Sequence, residues 1–423
     1  MSSFKHLLIA TAIATATLAA SPAFAATYQE AMAAATAKFA ENKFTEARVD
    51  LAEALKQATS DIDRADALQK IAQSHMLQNK PALARVELAK ILVMEELDLF
   101  QKANAQYELG RSFLSENDFT SARTELGKIV ALPAVDIFQR AMAQTDIAQT
   151  FLTEKKPAEA RVEFAKIFAM EGVDVFQKAQ AQFSIAQTYL EEQKPTEARA
   201  EFAKIIEMKE APSTEKARAL SEIARSYLME NKYVEAHAEF AKVLALPELD
   251  PAEKLRVQLE VAQTYMFENK PALARAEFTK VLAQEKLEPS QKVQAHFGVA
   301  QTLLFENNFE GVRGEYEKAL AVQDVDPFQQ VAARSGIAQS YLAEAKYPQA
   351  RAEYTKLLVM KNMDPFQRSQ THLDIAQTYI SEKKYAEARA EYAKLKENKD
   401  LHQAHKEEIE QQLKQIEEME AVR

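Results

Sequence analysis

The chain has 423 residues, long enough for several domains or one long array. Its 47% hydrophobic and 27% charged residues exclude a disordered chain, and seven glycines argue against turn-rich β architectures. A net charge of −10 speaks against nucleic acid or an anionic lipid surface as main partner, and the absence of cysteine removes disulfides, thiolate chemistry and Cys-type zinc sites.

Residues 1–25 carry the pattern of a secretory leader. Lys5 and His6 open it, Leu7 to Ala20 is an apolar run too short to span a bilayer, and Ala23-Phe24-Ala25 is a small-x-small cleavage site. The mature chain is expected to begin at Ala26, the alternative being an uncleaved anchor. No cysteine follows the site to take a lipid, and no later segment is apolar enough to cross a membrane. The expected destination is the periplasm of a Gram-negative bacterium, with full secretion as the alternative.

From residue 26 to 398 one unit recurs. An apolar-Ala/Gly-Gln/Arg-Ser/Thr signature starts at Ile71, Leu109, Ile147, Ile185, Ile223, Val261, Val299, Ile337 and Ile375, each step being 38 residues. A second signature centres on Ala47, Ala84 and Ala122 and continues to Ala388, its first step being 37 and every later one 38, which makes ten copies, the first shorter at its front. Fixed-period self-similarity in this range marks a solenoid.

Each copy predicts two helices. The first opens on a capping box, as in Asp174-Val-Phe-Gln177, Asp326-Pro-Phe-Gln329, Asp364-Pro-Phe-Gln367 and Asp250-Pro-Ala-Glu253. It is expected to stop near Asn79, Asn117, Asn231, Asn269 and Asn307, since Asn tolerates a left-handed cap. Pro81, Pro157, Pro195 and Pro271 then start the second helix, whose Ala198, Phe202 and Ile205 form one apolar stripe. Neither helix can bury its stripe alone, and stacking on the next copy solves this. Small residues such as Ala148 and Ala186 are expected where the two helices approach, and large ones such as Phe164, Phe202 and Tyr316 between copies. After Lys394 the pattern changes, and residues 399–423 are expected to form a charged capping helix with Ile409, Leu413, Ile416 and Met419 on one face.

These residues resemble the tetratricopeptide repeat (TPR) family. Leu109-Gly110 with Phe113 and then Ala122, and Tyr316-Glu-Lys-Ala-Leu320, match its pattern, while the family's Trp is absent and the period is 38 rather than 34. The chain therefore reads as a divergent, long-repeat variant. The resemblance implies an all-α fold, a right-handed α-solenoid of stacked antiparallel helix pairs, whose first helices line a concave groove that binds a protein or peptide partner.

Three sets of side chains are candidates for function. On the first helices one position varies while the one four residues on is always Gln or Arg. The candidate groove residues are Tyr107, Arg111, Phe183, Gln187, Arg225, Leu259, Gln263, Phe297 and Gln301. A polar row can hydrogen bond an extended backbone while the varying row selects side chains, and Arg111 and Arg225 would suit acidic groups. The competing reading is that the Gln row bonds between stacked helices and the Phe residues finish the core. On the second helices a Glu/Lys pair recurs, as Glu163 and Lys166, beside an arginine column such as Arg161 and Arg199. Both are expected to be a solvated outer face. His75, His237, His296, His372, His402 and His405 are expected to be unconnected surface histidines, although His402 and His405 could share a metal. Gly311 and Gly314 are expected to be a tolerated weak spot in one second helix.

No phosphate-binding loop, metal motif or nucleophile elbow is present in the sequence, so neither cofactor nor metal nor catalysis is expected. The expected function is an exported scaffold for a protein or peptide partner, without membrane insertion. The alternatives are a self-associating envelope protein and a cell-wall-related enzyme or accessory.

Overall fold

A computed structural model describes residues 27–360, 363–396 and 403–421. The expected leader and His402 lie outside the described residues, as do the side chains of His405 and Met419. In chain order the helices are α1 (Tyr28–Ala40), α2 (Phe44–Gln57), α3 (Asp61–Leu77), α4 (Pro81–Leu92), α5 (Leu99–Leu114), α6 (Phe119–Val130), α7 (Ile137–Thr153), α8 (Pro157–Lys166), α9 (Val175–Glu191), α10 (Pro195–Glu207) and α11 (Ser213–Met229). They continue as α12 (Tyr233–Leu244), α13 (Pro251–Phe267), α14 (Pro271–Leu282), α15 (Pro289–Phe305), α16 (Phe309–Leu320), α17 (Pro327–Ala343), α18 (Tyr347–Leu358), α19 (Pro365–Ser381), α20 (Tyr385–Lys396) and α21 (Gln403–Ala421). Among the described residues there is no strand, and the fold is all-α. The described residues divide into two compact units, one ending at Thr188 and the other beginning at Tyr189.

Local chemistry sets where each helix begins and ends. The Asp174 carboxylate accepts from the Gln177 amide at 2.7 Å, and Asp98 and Asp364 form complete capping boxes with Gln101 and Gln367. Two expected boxes differ. Asp326 accepts from the Phe328 amide rather than three residues on, and Glu253 does not reach back to Asp250 because its carboxylate pairs with Arg256. The turn within each pair holds one residue in the left-handed region: Asn79 at φ 55°, Asn117 at 59°, Asn231 at 56°, Asn269 at 57° and Asn307 at 55°. Proline at the start of α4, α8, α10 and α14 costs no hydrogen bond there.

The first helices mostly run 17 residues against 12 or 13 in the second, as in α7 and α10. Packing then follows from size. Ala148, Ala186, Ala224, Ala262, Ala338 and Ala376 are fully buried, as are Phe164, Phe202, Phe240 and Phe278. The core is a series of small apolar clusters, each shared by one pair and the first helix of the next. Leu255, Leu259, Ala274, Phe278 and Val281 of α13 and α14 close on Ala295 and Val299 of α15. A methyl group on Gly298 would stand 2.4 Å from the Phe278 ring, and one on Gly336 would stand 2.3 Å from Tyr316. The large residue of one second helix thus presses directly on the next first helix. Ile409 and Ile416 of α21 are buried against Tyr385, Tyr392 and Leu395, with Leu413 partly buried beside them.

Candidate functional site

The second-helix charges are not a solvated face, which corrects the sequence expectation. Along the recurring pairs the lysines are exposed, but the glutamate side chains are only 11–22% exposed. Five of these glutamates meet a donor from the first helix of their own pair, whereas Glu87 and Glu239 have leucines at the corresponding place. Gln144 Nε2 donates to Glu163 at 2.8 Å, Gln106 donates to Glu125, and Arg334 reaches Glu353 at 3.6 Å. His296 Nδ1 lies 2.8 Å from Glu315, and His372 Nδ1 lies 2.9 Å from Glu391.

The arginine column is likewise internal. Arg123 donates to Thr150 Oγ1 at 2.9 Å, pairs with Glu154 at 3.2 Å and lies 4.5 Å over the Phe151 ring. Arg199 repeats this with Ser226, Glu230 and Tyr227, and Arg351 with Thr378, Glu382 and Tyr379. Each such arginine bolts one second helix to the first helix of the following pair. At His237 the column changes residue but not role: the imidazole stacks on Tyr265 at 4.2 Å and meets Glu268 at 2.6 Å. His237, His296 and His372 are therefore structural partners and not unconnected surface histidines. Burial pushes the half-buried His75 below the ordinary histidine range, and its Nδ1 has no hydrogen-bond partner.

The glutamines of the first-helix row stand apart, because their side-chain amides remain free. Gln73, Gln149, Gln187, Gln263, Gln301, Gln339 and Gln377 are exposed, as is Arg111. The varying row beside them is largely filled in. Phe183 and Leu259 are core residues, 7% and 5% exposed, and Phe297 packs edge-on against Tyr316 with ring centres 5.2 Å apart. Tyr107 is half-buried and donates to Asp146 at 2.7 Å, and burial pushes its hydroxyl pKa up. The hydrophobic half of the candidate groove therefore offers little free surface at these positions.

The two arginines differ. Arg111 is exposed, 3.5 Å from Glu108, and lies with Gln69, Gln73, Met76 and Leu114 around a pocket of about 630 Å³. Arg225 is half-buried and tied to Glu222 and to Glu260, the latter at 2.7 Å. Arg256 joins Glu253 and Glu260 in the same network. Asp250, Glu253, Arg256, Leu259, Glu260 and Gln263 line a second pocket of about 500 Å³. Carboxylates outnumber arginines there, so Arg225 has its charge already met and does not make an open acid-binding site. Among the described residues no group of three or more His, Cys, Asp or Glu is placed to hold a metal.

No protein-family profile matches the sequence, and no curated protein matches it. The helix pairs and their period decide the architecture. The chain is an all-α array of repeated helix pairs. Solved structures similar to this array include pilF of Pseudomonas aeruginosa, at 18% identity over 55% of this chain and 97% of that one, with a TM-score of 0.34. The quorum sensor NprR of B. thuringiensis is similar at 13% identity over 78% and 96%, with a TM-score of 0.41. A STAND protein with a tetratricopeptide repeat sensor from Pyrococcus horikoshii is similar at 15% identity over 88% of this array and 55% of that chain, with a TM-score of 0.45. No helix among the described residues is long and apolar enough to cross a membrane.

Proposed function

We propose that this array is an exported interaction scaffold that binds a protein or peptide partner along the exposed face of its first helices, and that it carries out no reaction of its own. The observation that carries the reading is a contrast. The second-helix Glu and Arg columns are spent on internal bonds, whereas the Gln row of the first helices is exposed and unpaired. Free amides at one step per repeat offer donors and acceptors to a main chain laid across them. The pocket at Gln69, Gln73 and Arg111 opens on the first helices α3 and α5, and the one at Leu259 and Gln263 on the first helix α13.

A photoreactive residue placed at Gln149 should crosslink a partner in the native compartment, while one at Val162, on the second helix and 60% exposed, should not. Crosslinks from Val162 alone would overturn the reading. Mass spectrometry of the purified protein tests export, with Ala26 as the expected first residue.

A further inference from the structure

Large apolar side chains recur at the first turn of successive first helices and face solvent. Ile62 of α3, Phe100 of α5, Phe138 of α7 and Phe176 of α9 are 56%, 55%, 55% and 41% exposed, at a constant step of 38 residues. Nothing in the packing of the pairs requires phenylalanine here, since Thr214 and Ser290 occupy the equivalent position in other repeats. The four turns are neighbours in space. The Glu96 amide reaches Asp61, Gln139 Nε2 donates to the Phe100 carbonyl at 3.1 Å, and Gly172 lies against Ile137. The result is a ladder of exposed apolar side chains, one per repeat, along adjoining first helices. A small pocket of about 200 Å³ beside the start of α5 is lined by Leu99, Ile129, Leu132 and Val135 together with Lys102 and Lys128. Rows of this kind on a protein surface mark contact sites.

The charge beside the ladder indicates what covers it. Glu95, Glu96, Asp98, Asp136, Glu171 and Asp174 are all exposed in the turns that lead into these helices. The cations two residues past each phenylalanine, Lys102, Arg140 and Lys178, are half-buried, and Arg140 donates to the Val130 carbonyl. An anionic membrane surface is repelled by such an edge, and so is a second copy of the same acidic edge.

We infer that Ile62, Phe100, Phe138 and Phe176 dock a basic amphipathic segment of a partner protein, with its apolar side chains on the ladder and its Lys or Arg residues toward the flanking carboxylates. This deepens the proposed scaffold function and rests on it, because Phe138, Met142, Thr145 and Gln149 lie along one exposed face of α7.

The test uses the full chain and a fluorescent peptide of Leu and Lys in helical register, about 18 residues or roughly five turns long. Its controls are a Leu/Glu peptide of the same pattern, a Lys peptide with Ser in place of Leu, and phosphatidylglycerol vesicles. At about 0.15 M salt only the Leu/Lys peptide should bind. The F100S/F138S/F176S variant, and separately E95K/E96K/E171K, should each weaken it about tenfold or more. All six positions are exposed and the capping aspartates are retained, so circular dichroism should be unchanged. Equal binding of the Leu/Glu peptide, binding of vesicles by the wild type, or affinity indifferent to the Phe substitutions overturns the inference. Failure of the scaffold reading shows elsewhere, as native crosslinks from Val162 and none from Gln149.

Discussion

Arg199 donates to Ser226 Oγ at 3.1 Å, and that hydroxyl donates in turn to the Ile223 carbonyl at 2.7 Å. Two pairs of helices are joined through this buried relay, and the Arg199 side chain is only 11% exposed. Replacing Arg199 by Leu should destabilise the joint by roughly 1–3 kcal/mol, since Ser226 loses its donor and Glu230 is left with Lys232 alone. Arg199→Lys should recover little, because a single ammonium cannot hold both acceptors and stack on Tyr227. Hydrogen exchange should show faster opening of α10 and α11 in both variants, and unchanged exchange at Ser226 would contradict the relay.

Acid should loosen these joints in a defined direction. Hydrogen bonding from Arg123 and then Lys156 lowers the Glu154 pKa, and Arg275 does the same for Glu306. At Glu344 the lowering comes from Lys346 and then Arg313. A lowered folded-state pKa means the stabilisation is fully present above the ordinary glutamate value near 4.5 and is lost as pH falls through the lowered value. Tm should therefore hold above about pH 4.5 and fall below it. The fall should be shallower in Arg123→Gln/Arg275→Gln, which is less stable at neutral pH.

Two glycines should respond with opposite sign. Gly298→Ala places a methyl 2.4 Å from the Phe278 ring and should cost roughly 1–3 kcal/mol by overpacking. Gly314 has open space at its Cβ position within a helix interior, so Gly314→Ala should stabilise by roughly 0.5–1 kcal/mol. Phe202, wholly buried, should cost roughly 3–5 kcal/mol on truncation to Ala. Urea titrations of the three variants check all three signs.

Ala345 occupies the left-handed turn position at φ 55°, where most other repeats carry Asn, Lys or Gln. An alanine methyl is strained there, by roughly 1–2 kcal/mol, and Asn is not strained to the same degree. Ala345→Asn should therefore raise stability by roughly 0.5–1 kcal/mol. A thermal melt showing a loss instead would mean that this turn relaxes by another route.

Much of the architecture was legible because its causes are local. Asp174 before Gln177, Asn117 after α5 and Pro195 at the start of α10 act within a turn of their own helix, so spacing along the chain reveals them. The Glu and Arg columns were misread for the complementary reason. Glu163 shows its local partner Lys166 three residues on, while its second partner Gln144 lies nineteen residues back on another helix. The signal was nevertheless present as fixed offsets. Arg123 finds Thr150 27 residues on and Glu154 31 residues on, and the same offsets recur from Arg199 to Ser226 and Glu230. His237 could have been found by the same count, since Glu268 stands 31 residues after it.

The candidate face divides along the same line. That Gln187, Gln263 and Gln301 recur at one register was written in the chain, and repetition with an apolar stripe was enough to require stacked helix pairs. Which members of the register remain open to solvent was decided only by the neighbours. Phe183 and Leu259 are covered, Arg225 is neutralised by Glu260 from the next pair, and Phe100 and Phe138 are left bare. Helix formation and capping depend on residues a few positions apart, whereas exposure and charge compensation depend on what another helix places against a side chain.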